Sequence, residues 1–173
     1  MPVMKTEIVV RPARAEDKSA IVAFCQNTFG WGDYIPDVWD IWLVDPGGQM
    51  LVGLVNHQPV GMVHVAFLED GIAWMEGMRV HPDYRRMGVS SAMDAAGHDY
   101  ARARGCHIVR LATSIENIPA QKTLAAQGYS RVWQFNEWIA QPARKRFCDA
   151  RVATRADAPA IRAQWRQFES GVP

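Results

Sequence analysis

Short apolar runs and helix-spaced apolar residues alternate along this chain and predict its elements. Ile8-Val9-Val10 reads as a strand ended by Arg11-Pro12. From Glu16 to Thr28, the residues Ala20, Ile21, Phe24, Cys25 and Thr28 share one helical face. Gly30 to Pro36 reads as a loop, and a short helix over 37–43 carries Trp39, Trp42 and Leu43. After the turn Asp45-Pro46-Gly47-Gly48, the runs 50–56 and 60–67 predict a hairpin, and Glu69-Asp70-Gly71 turns into a third strand, 72–80. Val89, Ala92, Met93, Ala96, Tyr100 and Ala103 then mark a helix that ends at Gly105. His107–Ala112 alternates as a strand. The helix between makes it a parallel neighbour of 72–80. Asn117 and Pro119 open another helix ending before Gly128, with Ala120, Leu124 and Ala125 toward the core, and 129–133 and 135–139 are expected as closing strands.

The stretch from Trp74 to Ser91 organises this order. It is a strand, then a basic turn containing Gly88, then a helix start. Free N–H groups and the positive helix end suit an anion there, and Arg85 and Arg86 add charge. No Lys-Ser/Thr follows Gly88 and no second glycine completes a dinucleotide fingerprint, so both nucleotide-type loops are excluded. By itself the turn is compatible with an anion site or with an ordinary capped helix.

The turn resembles motif A of the GCN5-related N-acetyltransferases (GNAT), Arg/Gln-x-x-Gly-x-Gly/Ala. Arg85, Gly88 and Ser90 occupy its fixed places, with Ser90 for the usual Gly or Ala. Asn117-x-x-Ala120, followed by Gly128-Tyr129, resembles motif B and lies after the next strand. The resemblance covers about residues 5 to 140 and implies an α/β GNAT fold. That fold is a mixed, mostly antiparallel twisted sheet with helices on both faces. Its one parallel strand pair splays around the cofactor. A narrower resemblance, through Gly32–Pro36, Trp42-Leu43-x-Asp45-Pro46 and Glu76–Pro82, is to the subgroup of histidine N-acetyltransferase-like members.

The resemblance implies acetyl-CoA as donor, no metal, and direct transfer to the amine of a small molecule or free amino acid. Met78, Arg79 and Val80 would pair with the pantetheine arm, the Met78 amide polarising the thioester carbonyl. Arg85 opens the phosphate turn, and the amides of Arg86, Met87, Gly88, Val89, Ser90 and Ser91 would hold the pyrophosphate. Asn117 would bond the pantetheine arm. Glu76 fits the family's frequent acidic position and is the candidate base, with a surface or salt-bridged carboxylate as the plainer reading. His64 is either a relay or a core residue. Trp31, Asp33, Tyr34, Trp39 and Trp74 are the candidate acceptor pocket, each alternatively explained by packing or, for Asp33, by a turn. Motif B often carries a Tyr seven residues after its Asn; here that residue is Leu124, so no general acid is assigned, and Tyr129 reads as core. Rival functions are acetylation of a protein N-terminus or lysine, and non-catalytic acyl-CoA binding.

Composition narrows the field further. A net charge of +1 argues against a dedicated nucleic-acid binder, and no run reaches membrane-spanning length. Cys25, Cys106 and Cys148 are odd in number and widely spaced, as expected of reduced cytoplasmic thiols. The 1–148 segment is expected to form the acetyltransferase domain. Residues 149–173 resemble its beginning. Arg151, Ala153, Asp157, Ala160, Ile161 and Ala163 stand 140 residues after Arg11, Ala13, Asp17, Ala20, Ile21 and Ala23. This extension reads as the start of a second such domain, or as a segment that packs on its own domain or on a partner such as a second copy in a homodimer.

Overall fold

Two tight turns with left-handed residues fold the middle of the chain into a three-stranded meander. Asn56 and His57 (φ 49° and 65°) close the first turn, and Asp70 and Gly71 (φ 62° and 70°) shape the second. The computed structural model describes residues 7–26, 28, 32–135 and 151–169, with side chains of the last helix as far as Arg166. The chain divides into two compact units, 1–131 and 132–173.

In the first unit, β1 (Ile8–Pro12), β2 (Gly48–Val55), β3 (Gln58–Phe67), β4 (Ile72–Val80) and β5 (Ile108–Leu111) lie side by side in sequence order. The first three pairings are antiparallel and β4–β5 is parallel, as the crossover predicts. β1 runs two residues further than expected, because Pro12 is tolerated on an edge strand. The expected strand over 129–133 does not form: residues 129–135 make no ladder, since alternation becomes a strand only where a neighbour pairs with it. Residues 136–139 of the last expected strand lie outside the described residues.

Alternation along the strands feeds two cores. On one face α3 (Val89–Ala103) covers Leu51, Val55, Val63, Val65, Ala73 and Met75. On the other, α1 (Lys18–Cys25) and α2 (Ile35–Leu43) cover Met50, Val52, Leu54 and Met62. The buried line of α3 is Val89, Met93, Gly97 and Ala101, not the line through Ala103, which is exposed. Gly97 lies close on the sheet: a Cβ there would fall 2.1 Å from Met75 Cε and 3.3 Å from Val65 Cγ2, so a larger residue would have to push the Met75 methyl aside. α4 (Ile118–Ala126) buries no residue fully among those described. Ala120 and Leu124 are half-buried as expected, but Ala125 is exposed.

The second unit holds α5 (Ala158–Glu169), and its start repeats the start of the first unit in geometry as well as sequence. Arg11 donates twice to the Asp17 carboxylate, at 2.7 Å each, and Arg151 donates twice to Asp157, at 2.7 and 2.5 Å. The Asp17 carboxylate accepts from Arg14 N–H at 2.8 Å, and that of Asp157 from Thr154 N–H at 2.7 Å. A single 3-10 turn follows in both, 15–17 and 155–157, and then the helix. Ile21 is fully buried in its unit, whereas Ile161 at the equivalent position is 51% exposed. No described helix is long and apolar enough to cross a membrane.

Candidate active site

The site begins where β4 runs past the end of its pairing with β5. β4 pairs with β5 only from Ile72 to Met75, so β5 does not run beside residues 76–80. On its other side β4 bulges: His64 faces Glu76 and Met62 faces Arg79, so Gly77 and Met78 stand against Val63 alone. Gly77 takes φ +66°, and a Cβ on it would strike the Trp42 ring at 2.6 Å. A bulge at this point interrupts the ladder and bends the strand locally.

Beside the open end lies a cleft of about 240 Å³ lined by Phe24, Thr28, Met78, Arg79, Val80, Arg85 and Asn117. It gathers five of the residues expected on the cofactor: Met78, Arg79, Val80, Arg85 and Asn117. Asn117 Oδ1 accepts the Ala120 N–H at 3.3 Å and so caps α4, a bond that leaves its side-chain NH2 to donate elsewhere. Phe24 and Thr28 had signalled only a helix face.

From Val80 the chain passes through a turn at 82–84 to Arg85, Arg86, Met87 and Gly88, all exposed. Arg86 (φ +62°) and Gly88 (φ +91°) are both left-handed, the geometry in which successive N–H groups can face a common anion. Gly88 is the N-cap of α3 and supplies no side-chain acceptor, so the first N–H groups of the helix, from Val89 through Ser91, carry no side-chain cap. The open strand edge, the cleft and this helix end follow one another in the chain. Together they fit a long ligand with an amide arm and a phosphate end. Among the described residues no three His, Cys, Asp or Glu side chains group as metal ligands do.

The acceptor-side candidates separate. Asp33 is fully enclosed and its carboxylate is taken: Arg79 donates to it at 2.7 and 3.1 Å, and Ile35 N–H at 3.0 Å. These bonds hold the Asp33 pKa below the usual carboxylate range against burial, the largest influence, which pushes it up. Asp33 therefore anchors Arg79 and does not present a free charge to an ammonium. Trp39 is 0% exposed within the α1–α2 core and cannot line a pocket. Helical spacing alone could not tell its face from that of Trp42. Tyr34 is exposed, with the Arg79 guanidinium 5.1 Å from its ring centre, and its ring stands nearly perpendicular to that of Trp42. Trp74 is half-buried on β4, two residues before Glu76 and on the same face. Trp31 lies outside the described residues.

Glu76 is partly exposed, and its Oε1 stands 3.0 Å from Nδ1 of the buried His64. The His64 ring lies flat on Trp42, with centroids 4.6 Å apart. Tyr129 belongs to a different cluster. Its hydroxyl donates to Asp94 Oδ1 at 2.8 Å and meets His98 Nε2 at 2.9 Å. Burial and the Asp94 charge push its pKa up, so it ties the end of α4 to α3 and is a poor acid.

Comparison with known proteins agrees with this geometry. The family described as "Acetyltransferase (GNAT) family" matches residues 18–129, more than half of the chain. A histidine N-acetyltransferase of Oreochromis niloticus is 26% identical over 104 residues, which are 57% of this chain and 31% of that protein. The chain thus spans about a third of the length of the curated relative it matches. A transcriptional regulator from Bacillus halodurans C-125 superposes with a TM-score of 0.68 at 19% identity, covering 78% of this chain and all of that one. The structure of AAC(6')-Iy in complex with a bisubstrate analogue, CoA-S-monomethyl-acetylneamine, gives 0.67 at 18% identity, over 79% of this chain and all of that one. Both likenesses concern the fold.

Proposed function

The chain belongs to the GNAT acetyltransferase family, and we propose that it moves an acetyl group from acetyl-CoA directly to the amine of a small molecule or free amino acid. The observation that carries this reading is the end of β4 beyond Met75, past the last residue that pairs with β5, beside the cleft and running into a basic turn and a helix N-terminus without a side-chain cap. Acetyl-CoA supplies an activated acyl thioester, and the chain's own groups do the rest.

In this reading the main-chain groups of Met78, Arg79 and Val80 hold the amide arm as a neighbouring strand would. The Met78 N–H is the donor for charge developing on the acyl oxygen. The amides from Arg86 to Ser91, with Arg85, take the pyrophosphate, and Asn117 donates to the arm. Glu76 takes a proton from the acceptor ammonium, so the nitrogen lone pair is free to attack. Transfer to an ammonium acceptor yields amide, thiol and one released proton. Leu124 offers no acid, and a thiol with pKa near 8.5 leaves as thiolate without one.

The acceptor side is Tyr34, Trp74 and Trp42, flat rings that suit a small body with one amine. The names of similar proteins support this class: one acts on histidine, and another was studied with an aminoglycoside-derived analogue. A panel of free amino acids, aminoglycosides, polyamines and N-terminal peptides, assayed for thiol release from acetyl-CoA, tests it. Turnover with amino acids or other small amines supports the reading, whereas turnover confined to peptides overturns the acceptor class. The repeated Arg–Asp pair, 3-10 turn and helix at 151–169 support a second proposal, that this segment opens a further unit of the same fold.

A further inference from the structure

His64 sits between two carboxylates that come from different elements. Its Nδ1 is 3.0 Å from Oε1 of Glu76, its partner across β3–β4, and its Nε2 is 3.5 Å from Oδ2 of Asp45, in the turn after α2. The side chain is only 2% exposed, against 34% for Glu76 and 31% for Asp45. Trp42 stacks on one face of the ring. Room on the β2 side exists only because residue 48 is glycine, where a Cβ would fall 2.3 Å from Nε2. Asp45 and Glu76 are the charged groups that face the ring. From β2 the residue across the ladder is Met50, and from α2 it is Trp42.

A bond between Nδ1 and a carboxylate needs a proton on Nδ1, and both the neutral Nδ1–H ring and the imidazolium provide it. Glu76 Oε1 is therefore an acceptor of that bond, and Oε2 is left for chemistry. At Nε2 the Asp45 oxygen is within ion-pair range but outside hydrogen-bond geometry, so this buried nitrogen has no hydrogen-bond partner among the described residues. Leaving it so costs about 1–3 kcal/mol, which a leucine of similar volume would avoid. A histidine kept only for packing does not account for that cost.

We propose that His64 is a positioning residue for Glu76, with Trp42 stacked on the ring and Asp45 flanking Nε2. The imidazole donates to Oε1 and fixes the carboxylate at the bulge, with Oε2 directed to the acceptor amine. This rests on the reading of Glu76 as base. A misplacement of about 1 Å in such a group costs on the order of 100-fold in rate.

The test uses three substitutions that divide the ring's functions. Asn at position 64 places an amide N–H where Nδ1 was. Gln places one where Nε2 was, and Leu keeps only volume. With an acceptor from the panel, the inference expects kcat to fall about 10- to 100-fold in His64→Gln and His64→Leu. His64→Asn recovers most of it, and KM for acetyl-CoA stays unchanged in all three. A smaller fall is expected for Asp45→Asn. If His64→Leu keeps the wild-type kcat and pH profile while Glu76→Gln is inactive, the positioning role is wrong and the base stands. If Glu76→Gln is itself fully active, the underlying reading has failed instead. Nitrogen-15 NMR of the ring in the unmodified protein decides independently of folding or acceptor. At pH 7 the proton should be on Nδ1, with its signal moved by Glu76→Gln; a ring protonated at Nε2 alone overturns the inference.

Discussion

The Arg79 guanidinium and the Asp33 carboxylate share two hydrogen bonds, at 2.7 and 3.1 Å, that tie the open end of β4 to the loop entering α2. Arg79 also donates to the Met78 carbonyl at 3.1 Å, so the pair fixes the strand on which the acyl group is proposed to sit. Asp33→Asn leaves an enclosed guanidinium without its counter-charge and should cost about 3 kcal/mol at pH 7. The Asp33 pKa is lowered on folding, so its contribution is complete above the unfolded value, about 3.9, and is lost as pH falls through the folded value. Urea unfolding of both proteins checks this. The gap between them should be full at pH 7 and should shrink below about pH 4.

Glu76→Gln should lower kcat by about a hundred- to ten-thousand-fold, the usual contribution of a general base, with acetyl-CoA affinity unchanged. Steady-state kinetics with a panel acceptor, beside calorimetry of cofactor binding, separates the two effects. An equal loss of affinity would make Glu76 part of the cofactor site instead.

Cys25 packs in the α1–α2 core, and burial together with the Asp33 charge pushes its pKa up to about 12. Cys106 is partly exposed. Iodoacetamide at pH 8 should therefore label Cys106 in the native protein and Cys25 only after unfolding. Peptide mapping by mass spectrometry reads this out, and native labelling of Cys25 would contradict the packing described.

Much of this fold was legible because its signals are local. Turn residues bound the meander, and alternating apolar residues gave the strands their two faces. The motif around Arg85, Gly88 and Ser90 pointed to the helix N-terminus that the structure displays. What escaped depends on contacts distant in sequence. Trp39 and Trp42 are three residues apart on one short helix, and only the sheet beneath decides that Trp39 is core while Trp42 covers Gly77 and His64. Asp33 looked like a free charge because Arg79, 46 residues later, is invisible as its partner. Asp45 read as a turn residue until the fold brought it to His64.

Removal of the repeated segment should spare the chemistry. A chain ending at Arg146 lacks the Arg151–Asp157 pair and α5, but keeps the open β4, the cleft and the turn at 85–88. Its affinity for acetyl-CoA and its thiol release with a panel acceptor should stay within about twofold of the full chain, well under the 1.4 kcal/mol of a tenfold change. Normal binding with no transfer would make the segment part of the acceptor site.

Calorimetric titration of acetyl-CoA into the wild-type protein and into Gly88→Glu is the sharpest test of the proposed site. Gly88 takes φ +91° in an exposed basic turn, so a glutamate there brings both backbone strain and a negative charge to the head of α3. The account predicts saturable binding to the wild type and a loss of about 100-fold or more in the variant, with its circular dichroism unchanged. Equal affinity in a folded variant would contradict it.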